Sequence, residues 1–252
     1  MKIMGRLVLI MVAAVALSAI SMPVGATKMD DRIILSAKHS YLFKSYLKYD
    51  DIKIESKDGA VTLTGIVAEN FHKSFAQETV AGIPGVKSVD NRLEVKGEAP
   101  TANSDAGLLT QVKVTLLFHR SVSAGTTEVD VKEGIVSLRG YAASQAQKEL
   151  TTEYAKDIEG VKDVNNEMIV TKNSKKKPTV SDKIDDASIT AQVKMTLLYH
   201  HSTSALNTSV TTKKGIVTLR GKAGNKAELN LATKFANDVN GAKSVKNLMT
   251  IK

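Results

Sequence analysis

One eight-residue pattern occurs three times in the chain, at residues 58–65, 133–140 and 214–221. In each copy a glycine opens an alternating strand with Val and Leu two residues apart, and a second glycine closes it. A second glycine marker, Gly-Val-Lys or Gly-Ala-Lys, follows 26 residues after the first glycine in every copy. Chance does not produce this interval three times, so the chain is predicted to consist of three repeats. The glycines interpreted as structural turn residues are Gly59, Gly65, Gly85, Gly134, Gly140, Gly160, Gly215, Gly221 and Gly241.

The repeats are spaced by 75 and then 81 residues, which is too long for a solenoid unit and suits a small domain. We predict domains at residues 30–97, 104–172 and 186–252, with a mobile, lysine-rich linker at 173–185. A domain of this size buries only about 60% of the surface of its unfolded chain and is marginally stable alone. Contacts between neighbouring repeats are therefore expected.

Each repeat shows the order helix, strand, strand, helix, strand. Helical periodicity runs from Asp105 to His119 in the second repeat and from Asp186 to His200 in the third, and both starts carry capping or acidic residues. Polar residues before the first glycine predict a hairpin, and the apolar spacing after the second glycine predicts another helix. The predicted fold class is α+β: three tandem small domains, each with a three-stranded mixed sheet packed against two helices.

A second apolar stripe runs along the first helix of each repeat. Its members are Val114, Leu117 and Phe118 in the second repeat and Met195, Leu198 and Tyr199 in the third. A helix that is apolar on two sides is covered on two sides. Either the second helix or a neighbouring repeat covers this stripe, or the stripe is a face offered to lipid or to a protein partner.

Residues 1–26 are organised like a secretory signal peptide. A positively charged start precedes an apolar run of 14 residues, from Leu7 to Ile20, and the residues up to Ala26 suit cleavage there. The alternative is an uncleaved anchor, although the run is shorter than the roughly 20 residues that a membrane span needs. Export of a chain without cysteine fits a bacterial periplasm, where we expect this protein.

The sequence contains no motif for catalysis or for binding metals or nucleotides. The absence of cysteine excludes disulfides, thiol catalysis and cysteine-based metal sites. His119 and His200 stand at matched helix ends and are interpreted as cationic caps of the last carbonyls. A recurring asparagine in the last strand is interpreted as a tie to nearby backbone, at Asn91, Asn166 and Asn247. We therefore expect no enzyme activity, no cofactor and no metal.

Together these patterns resemble the BON domain, a small bacterial module with an amphipathic helix, the strand Gly-x-Val-x-Leu-x-Gly and a later Gly-Val-x-x-Val-x-Asn. All three repeats match, with Ala242 replacing Val in the third, and they cover nearly the whole chain after residue 26. The chain is similar to the osmotically inducible periplasmic members of that family. This resemblance implies a non-enzymatic envelope protein that acts in osmotic or other envelope stress.

Net charge is the property that differs most among the repeats. The formal charges of residues 30–97, 104–172 and 186–252 are 0, −2 and +7. Clustered cations attract an anionic surface, which for an exported protein is phospholipid or lipopolysaccharide rather than nucleic acid. The candidate lipid-binding residues are Lys194, Lys213, Lys214, Arg220, Lys222 and Lys226, with apolar contacts from Met195, Leu198 and Tyr199. The alternative is a solvated face that keeps the chain soluble.

Two functions remain open. In the first, the third repeat binds membranes rich in anionic lipid, weakly and reversibly; BON lipoproteins in which one repeat engages anionic phospholipid are similar in this respect. In the second, the protein is a periplasmic chaperone that holds exposed apolar segments of client proteins on the second apolar stripe. Other envelope proteins are further candidate partners.

Overall fold

The structure is a computed structural model that describes residues 24–97, 100–122, 124–171, 184–203 and 207–252. Most of the predicted signal peptide and nearly all of the predicted linker, at 1–23 and 172–183, lie outside the described residues. Within the part of the chain that the structure describes, no helix has the length and apolar character needed to cross a membrane.

Each repeat has the predicted order of helix, hairpin, helix and last strand. The first repeat consists of α1 (Val24–His39), α2 (Tyr41–Ser45), β1 (Asp51–Lys57), β2 (Ala60–Val67), α3 (Asn70–Ala81) and β3 (Ser88–Val95). The second consists of α4 (Asp105–Phe118), a 3₁₀ turn (Ala124–Thr126), β4 (Thr127–Lys132), β5 (Ile135–Ala142), α5 (Gln145–Lys156), β6 (Asp163–Asn166) and β7 (Ile169–Val170). The third consists of α6 (Asp186–Tyr199), β8 (Thr208–Lys213), β9 (Ile216–Ala223), α7 (Lys226–Asp238), β10 (Ser244–Asn247) and β11 (Thr250–Ile251).

All three sheets are mixed, as predicted. The glycine-headed strand is central in each, antiparallel to the strand before it and parallel to the last strand. Alternation along β9 sends Val217 and Leu219 into the core and leaves Ile216 and Arg220 exposed. The helices therefore cover one face of each sheet and leave the other face open.

Both glycines of the repeated pattern have a positive φ, which favours glycine. Gly215 follows Lys214 in a two-residue hairpin turn in which both residues have positive φ, 79° and 54°. Gly221 has φ +129°, and a Cβ there would lie 1.8 Å from the carbonyl oxygen of Asn207. Equivalent close approaches occur at Gly65 and Gly140. The second glycine thus permits close contact between the two hairpin strands.

An aspartate at the start of the first helix holds this hairpin turn. Asp186 accepts hydrogen bonds from the backbone N–H groups of Lys214 (2.6 Å) and Gly215 (2.7 Å). Asp105 and Asp30 hold the turns of their own repeats in the same way. Hydrogen bonds from the turn lower the pKa of the Asp105 carboxyl. This contact links the first helix of each repeat to its hairpin.

The recurring asparagine ties the last strand to the second helix. The side-chain amide of Asn247 donates to the carbonyl oxygen of Leu229 (3.1 Å) and to Thr233 (2.8 Å), and its oxygen accepts from the N–H of Met249 (2.9 Å). Asn91 and Asn166 make matching bonds in their repeats. The predicted tie to nearby backbone is therefore present in all three.

The first repeat differs because its helix layer is completed by the other two. Its first helix is followed by Ser40, whose hydroxyl accepts from the N–H of Phe43 and starts the short helix α2. Apolar residues of α4 and α6 join the core of the first repeat, namely Val114, Phe118, Ala187, Ala191 and Met195. A neighbouring repeat thus covers much of the second apolar stripe, which was the first of the two interpretations.

The second and third repeats meet reciprocally at their helix ends. The N–H of Arg120 donates to the carbonyl oxygen of Asp238 (2.9 Å), and the N–H of His201 donates to that of Asp157 (2.7 Å). These pairs are equivalent positions, so the contact has approximate twofold symmetry.

His119 and His200 also lie in this contact. They are the C-cap residues of α4 and α6, as predicted, but the expected stabilisation of the last carbonyls by their rings was wrong. Their rings are buried and face Asp238 and Asp157 of the opposite repeat.

Candidate functional site

The open face of the third sheet carries cations and no acid. We call it the basic face and define it by the outward-pointing residues of β8, β9 and the last strand. They are Ser209, Thr211, Lys213, Ile216, Thr218, Arg220, Lys222, Ser244, Lys246, Leu248 and Thr250. The acidic residues of the third repeat, Asp186, Glu228 and Asp238, belong to its helices. The face has four cations, and it contains no acidic residue to neutralise them. They are Lys213, Arg220, Lys222 and Lys246.

The equivalent face of the second sheet shows what has changed. Four positions that hold an acid in the second repeat hold a neutral residue in the third, at a constant offset of 81 residues. The replacements are Glu128 by Ser209, Asp130 by Thr211, Asp163 by Ser244 and Glu167 by Leu248. Two positions also gain a cation, since Lys222 stands in place of Tyr141 and Lys246 in place of Asn165. The same fold thus presents two surfaces of opposite charge.

The open faces of the three sheets also differ in their ion pairs. In the second sheet Arg139 bonds Glu167 at 2.9 Å, and that hydrogen bond and charge raise the pKa of the guanidinium. In the first sheet Lys53 pairs with Glu55 (2.6 Å) and Arg92 with Asp90 (2.7 Å). Arg220 has no ion pair within the described ranges. Its charge is available to an external anion.

Two large apolar side chains lie among the cations of the basic face. Ile216 is 47% exposed and Leu248 is 42% exposed. Such side chains can enter the headgroup region of a bilayer while the surrounding lysines contact phosphates.

The structure brings only part of the expected site together. Lys213, Arg220 and Lys222 lie on the basic face. Lys214, in the hairpin turn, and Lys226, at the start of α7, are exposed at opposite ends of β9. Sequence reasoning missed Lys246, Ile216 and Leu248, which alignment of the three repeats on the period-2 alternation would have found.

The remaining expected residues lie on α6, behind the sheet. Lys194 pairs with Glu78 of the first repeat at 2.7 Å. Met195 is only 2% exposed, so it is not accessible for lipid contact, and Tyr199 is half-buried. Leu198 is 51% exposed but faces away from the basic face, because α6 packs on the inner side of the sheet.

The residues that define the basic face include no His, Cys, Asp or Glu. Within the described residues, no group of three or more His, Cys, Asp or Glu side chains could hold a metal ion. Cations spread over an open sheet act by attracting and orienting an extended anionic partner.

Comparison with known proteins gives a family. The family model described as the BON domain matches residues 30–97, 104–172 and 185–252. Osmotically-inducible protein Y of Escherichia coli is 28% identical over 196 residues, which cover 78% of this chain and 95% of that protein. An uncharacterised protein in the gshII 5′ region of Anaplasma centrale is 31% identical over 148 residues, covering 59% of this chain and 95% of its own.

Among solved structures, the chain matches CdsD, a structural protein of the type III secretion system of Chlamydia trachomatis. The identity is 16%, and the match covers 88% of this chain and 92% of the other. The TM-score is 0.24, which is too low to support any argument from this match.

Proposed function

Since this chain belongs to the BON domain family and contains three copies of the domain, we propose that it is a non-enzymatic protein of the bacterial envelope that binds anionic phospholipid through the basic face. Similarity to Osmotically-inducible protein Y supports a role in osmotic stress, and we place that role in the periplasm. The predicted signal segment at residues 1–26 is consistent with that location.

The observation that carries the lipid proposal is the loss of all four outward acids between the second sheet and the third. Cations that served only to keep the protein soluble would not need to lie together on one face of the sheet. Here the cations and the missing acids coincide on one open surface, which also exposes Ile216 and Leu248. A flat cationic surface with apolar side chains suits the plane of a bilayer.

The expected attachment is weak and reversible. Each Lys or Arg near an anionic leaflet contributes about 1 kcal/mol, so four cations contribute at most about 4 kcal/mol. The attraction weakens within a Debye length, which shortens as salt is added. Binding should therefore decline steeply with ionic strength.

The test is cosedimentation of the chain from Thr27 to Lys252 with vesicles of phosphatidylcholine, with or without phosphatidylglycerol. A four-residue variant carries the acids that the second sheet tolerates: Ser209→Glu, Thr211→Asp, Ser244→Asp and Leu248→Glu. We expect binding to anionic vesicles only and a loss of about a hundredfold or more in this variant. Equal binding to neutral vesicles would refute the proposal.

The matched control lowers the net charge by the same amount as the four-residue variant, but away from the basic face. Lys38→Glu with Lys44→Glu lowers the charge by the same amount on exposed positions of the first repeat. This variant should bind like the parent, and a parallel loss would mean that net charge rather than the basic face determines binding. Vesicles containing lipopolysaccharide form a further arm. Binding to those vesicles alone would assign the face to lipopolysaccharide instead of phospholipid.

A second candidate function is the chaperone, and one observation favours it. Two matched apolar grooves remain beside the second stripe. One has a volume of about 480 Å³ and is lined by Leu117, Val129 and Phe71; the other is about 330 Å³ and is lined by Leu198 and Val210. Each groove runs beside an edge strand, β4 or β8, where an extended apolar segment could pair.

The two candidates are separable by experiment. A chaperone should suppress aggregation of an unfolded client and should bind the dye ANS in its native state. The variants Leu117→Ser and Leu198→Ser should lose both properties and keep lipid binding. Native protein that neither binds ANS nor suppresses aggregation would exclude this candidate.

A further inference from the structure

Two histidines face each other inside the contact between the second and third repeats. The Nε2 atoms of His119 and His200 lie 3.2 Å apart, and each residue is 1% exposed. The His119 ring stacks on Tyr154 and the His200 ring on Phe235, each with ring centroids 3.9 Å apart. The rings are therefore fixed in position and shielded from water.

Each ring also faces a carboxylate of the opposite repeat. His119 Nδ1 lies 3.0 Å from Asp238, and His200 Nδ1 lies 2.9 Å from Asp157. Burial alone would raise the pKa of Asp157, but hydrogen bonds from His200 and Ser202 outweigh it and hold that pKa below its ordinary value. Hydrogen bonds likewise outweigh burial at Asp238 and lower its pKa. Both groups are ionised at neutral pH, so each Nδ1 must be the donor.

The protons on the two Nε2 atoms can then be counted. With none, two lone pairs face each other at hydrogen-bond distance and neither is satisfied. With two, both rings are cations and two N–H groups point at each other. With one, a single N–H···N hydrogen bond satisfies both atoms. The geometry fits one proton.

The surroundings of the two carboxylates decide which ring holds that proton. Asp238 also accepts from the Tyr154 hydroxyl (2.8 Å) and from Ser121, and the Arg120 Nε lies 3.9 Å away. Phe235 stands where Tyr154 would be on the other side, and it supplies no hydroxyl. Among the described residues, the sole ion-pair partner of Asp157 is His200. Asp157 in turn accepts from the N–H and the hydroxyl of Ser202, so the two carboxylates accept equally many hydrogen bonds. Because Asp238 already has Arg120 as a second cation beside it and Asp157 has no second one among these residues, the cation of the histidine pair belongs on His200.

We propose that His119 and His200 together bind a single proton, carried by His200 and donated from its Nε2 to the Nε2 of His119, and that this proton fastens the second repeat to the third. A second proton places two cations face to face and loosens the contact. The contact between the repeats is thus sensitive to acidification.

The titratable and charged groups around the pair come from every element packed against it. They are Tyr154 and Asp157 at the end of α5, Lys234 and Asp238 of α7, Arg120 after α4 and His201 after α6. Burial, reinforced by the charge of His200, lowers the pKa of His119 despite its hydrogen bond to Asp238. The unfolded or separated state, in which this histidine titrates near 6.5, takes up the second proton first. The contact therefore loses stability as pH falls below about 6.5. It also loses stability as pH rises above that value, because the folded pair keeps one proton that the separated histidines release, so the contact is most stable near pH 6.5.

Nitrogen NMR of the histidine rings in the chain from Thr27 to Lys252 tests the assignment. At about pH 7.5, one ring should show both nitrogens protonated and the other should be the neutral tautomer with its proton on Nδ1. The single variants His119→Gln and His200→Gln assign the signals, with the cation expected on His200. Two neutral rings, or a cation on His119, would overturn the proposal. Ring signals that change when a chelator is added would also overturn it, because a metal ion would then join the two nitrogens.

Hydrogen exchange in the unaltered protein tests whether the shared proton holds the second repeat to the third. The amides of Arg120, His201 and Asn240 donate across the contact, to the carbonyl oxygens of Asp238, Asp157 and Phe118. After correction for intrinsic rates, their protection should be greatest near pH 6.5 and should fall about tenfold by about pH 5, while that of β1 and β2 should not. Unchanged protection would refute the fastening role.

Two further variants keep the proposal testable if a histidine variant does not fold. Asp157→Asn removes the counter-charge of His200 and should lower the pH at which the pair takes its first proton, by about one unit or more. His201→Gln, at the exposed neighbouring position, should leave that pH unchanged. Equal effects of the two changes would contradict the assignment.

Discussion

Leu248 stands in the third repeat where Glu167 stands in the second. The backbone N–H of Leu248 donates to the carbonyl oxygen of Leu219 at 2.8 Å, and that of Glu167 donates to Leu138 at the same distance. The backbones of the two strands are thus in register, and the side chains differ. Glu167 forms an ion pair with Arg139, whereas Leu248 leaves Arg220 without an ion pair within the described residues.

Leu248→Glu alone should restore that pair and weaken binding to anionic vesicles. We expect a loss of about fivefold, since the added carboxylate neutralises one cation and each cation contributes about 1 kcal/mol. The matched control is Leu198→Glu, which adds the same charge on α6, behind the sheet. Cosedimentation at low salt measures both. A control that loses as much as Leu248→Glu would argue against the basic face.

Lys194→Gln should leave lipid binding unchanged although it removes a cation of the third repeat. Its ammonium already pairs with Glu78 on the side away from the basic face. The partly exposed pair contributes less than about 1 kcal/mol to stability, so the free energy of unfolding should fall only slightly. Vesicle binding and urea denaturation of the same preparation check both statements. A marked drop in vesicle binding would return Lys194 to the lipid site.

Gly221→Ala should destabilise the third repeat severely. The new Cβ would lie 1.8 Å from the carbonyl oxygen of Asn207, in a backbone conformation with φ +129°. A shift of the hairpin strands is required, and a loss of about 3 kcal/mol or more is expected. Gly97→Ala is the control, since its φ is +80° but nothing lies within 4 Å of the added carbon. Thermal melting should separate the two variants clearly, and similar melting temperatures would be unexpected.

Asn247→Ala should cost about 2 kcal/mol, because two donated hydrogen bonds and one accepted hydrogen bond are lost. Asn247→Asp keeps the acceptor for the N–H of Met249 but sets a carboxylate oxygen against the carbonyl oxygen of Leu229, so it should cost at least as much. Asn230→Ala, on the exposed side of α7, should cost nothing. Urea denaturation gives the three free energies. Equal costs of Asn247→Ala and Asn230→Ala would show that the tie carries no stability.

Acid should destabilise the protein through Asp157 and Asp238, in a range separate from that of the histidines. Their pKa values in the folded state lie below the ordinary value of 3.8, so the unfolded chain binds protons first as pH falls. Their contribution is complete above about pH 5 and is lost as pH falls through the folded pKa values. Asp157→Asn should flatten the dependence below about pH 5, whereas Asp163→Asn, on the exposed sheet face, should not. Urea denaturation at several pH values gives the free energy of unfolding. If Asp157→Asn leaves its slope against pH unchanged below about pH 5, Asp157 is not responsible for the acid destabilisation.

Local signals were sufficient to predict the fold of each repeat. The alternation in residues 216–223 follows from the geometry of a strand. The first glycine marks a turn with positive φ, and the second marks a position where a side chain would clash with backbone. The hairpin, the second helix and the last strand need only contacts within about 35 residues of that pattern. Sequence patterns describe such contacts well.

The contacts between repeats were less predictable. The apolar stripe of α6 showed that Met195 would be covered, yet nothing near it identified the first repeat as the cover. The histidines were misinterpreted for a similar reason. A helix end suggests a cap, whereas the partner of His119 is Asp238, far away in the chain. The basic face was found only in part because charge was counted by repeat rather than by face.

The reciprocal contact of the second and third repeats has a consequence for how long such a chain can grow. In an isologous interface both partners contribute the same surface patch. Once two copies have paired, the patch of each is occupied. A further copy cannot join through that patch, so it must attach by a heterologous one. The first repeat does so, with Gly82 in the place of Asp157 and its backbone packed close to Ala187. Three copies in one chain are therefore a dimer with a differently attached third member, and not an array that extends by repetition.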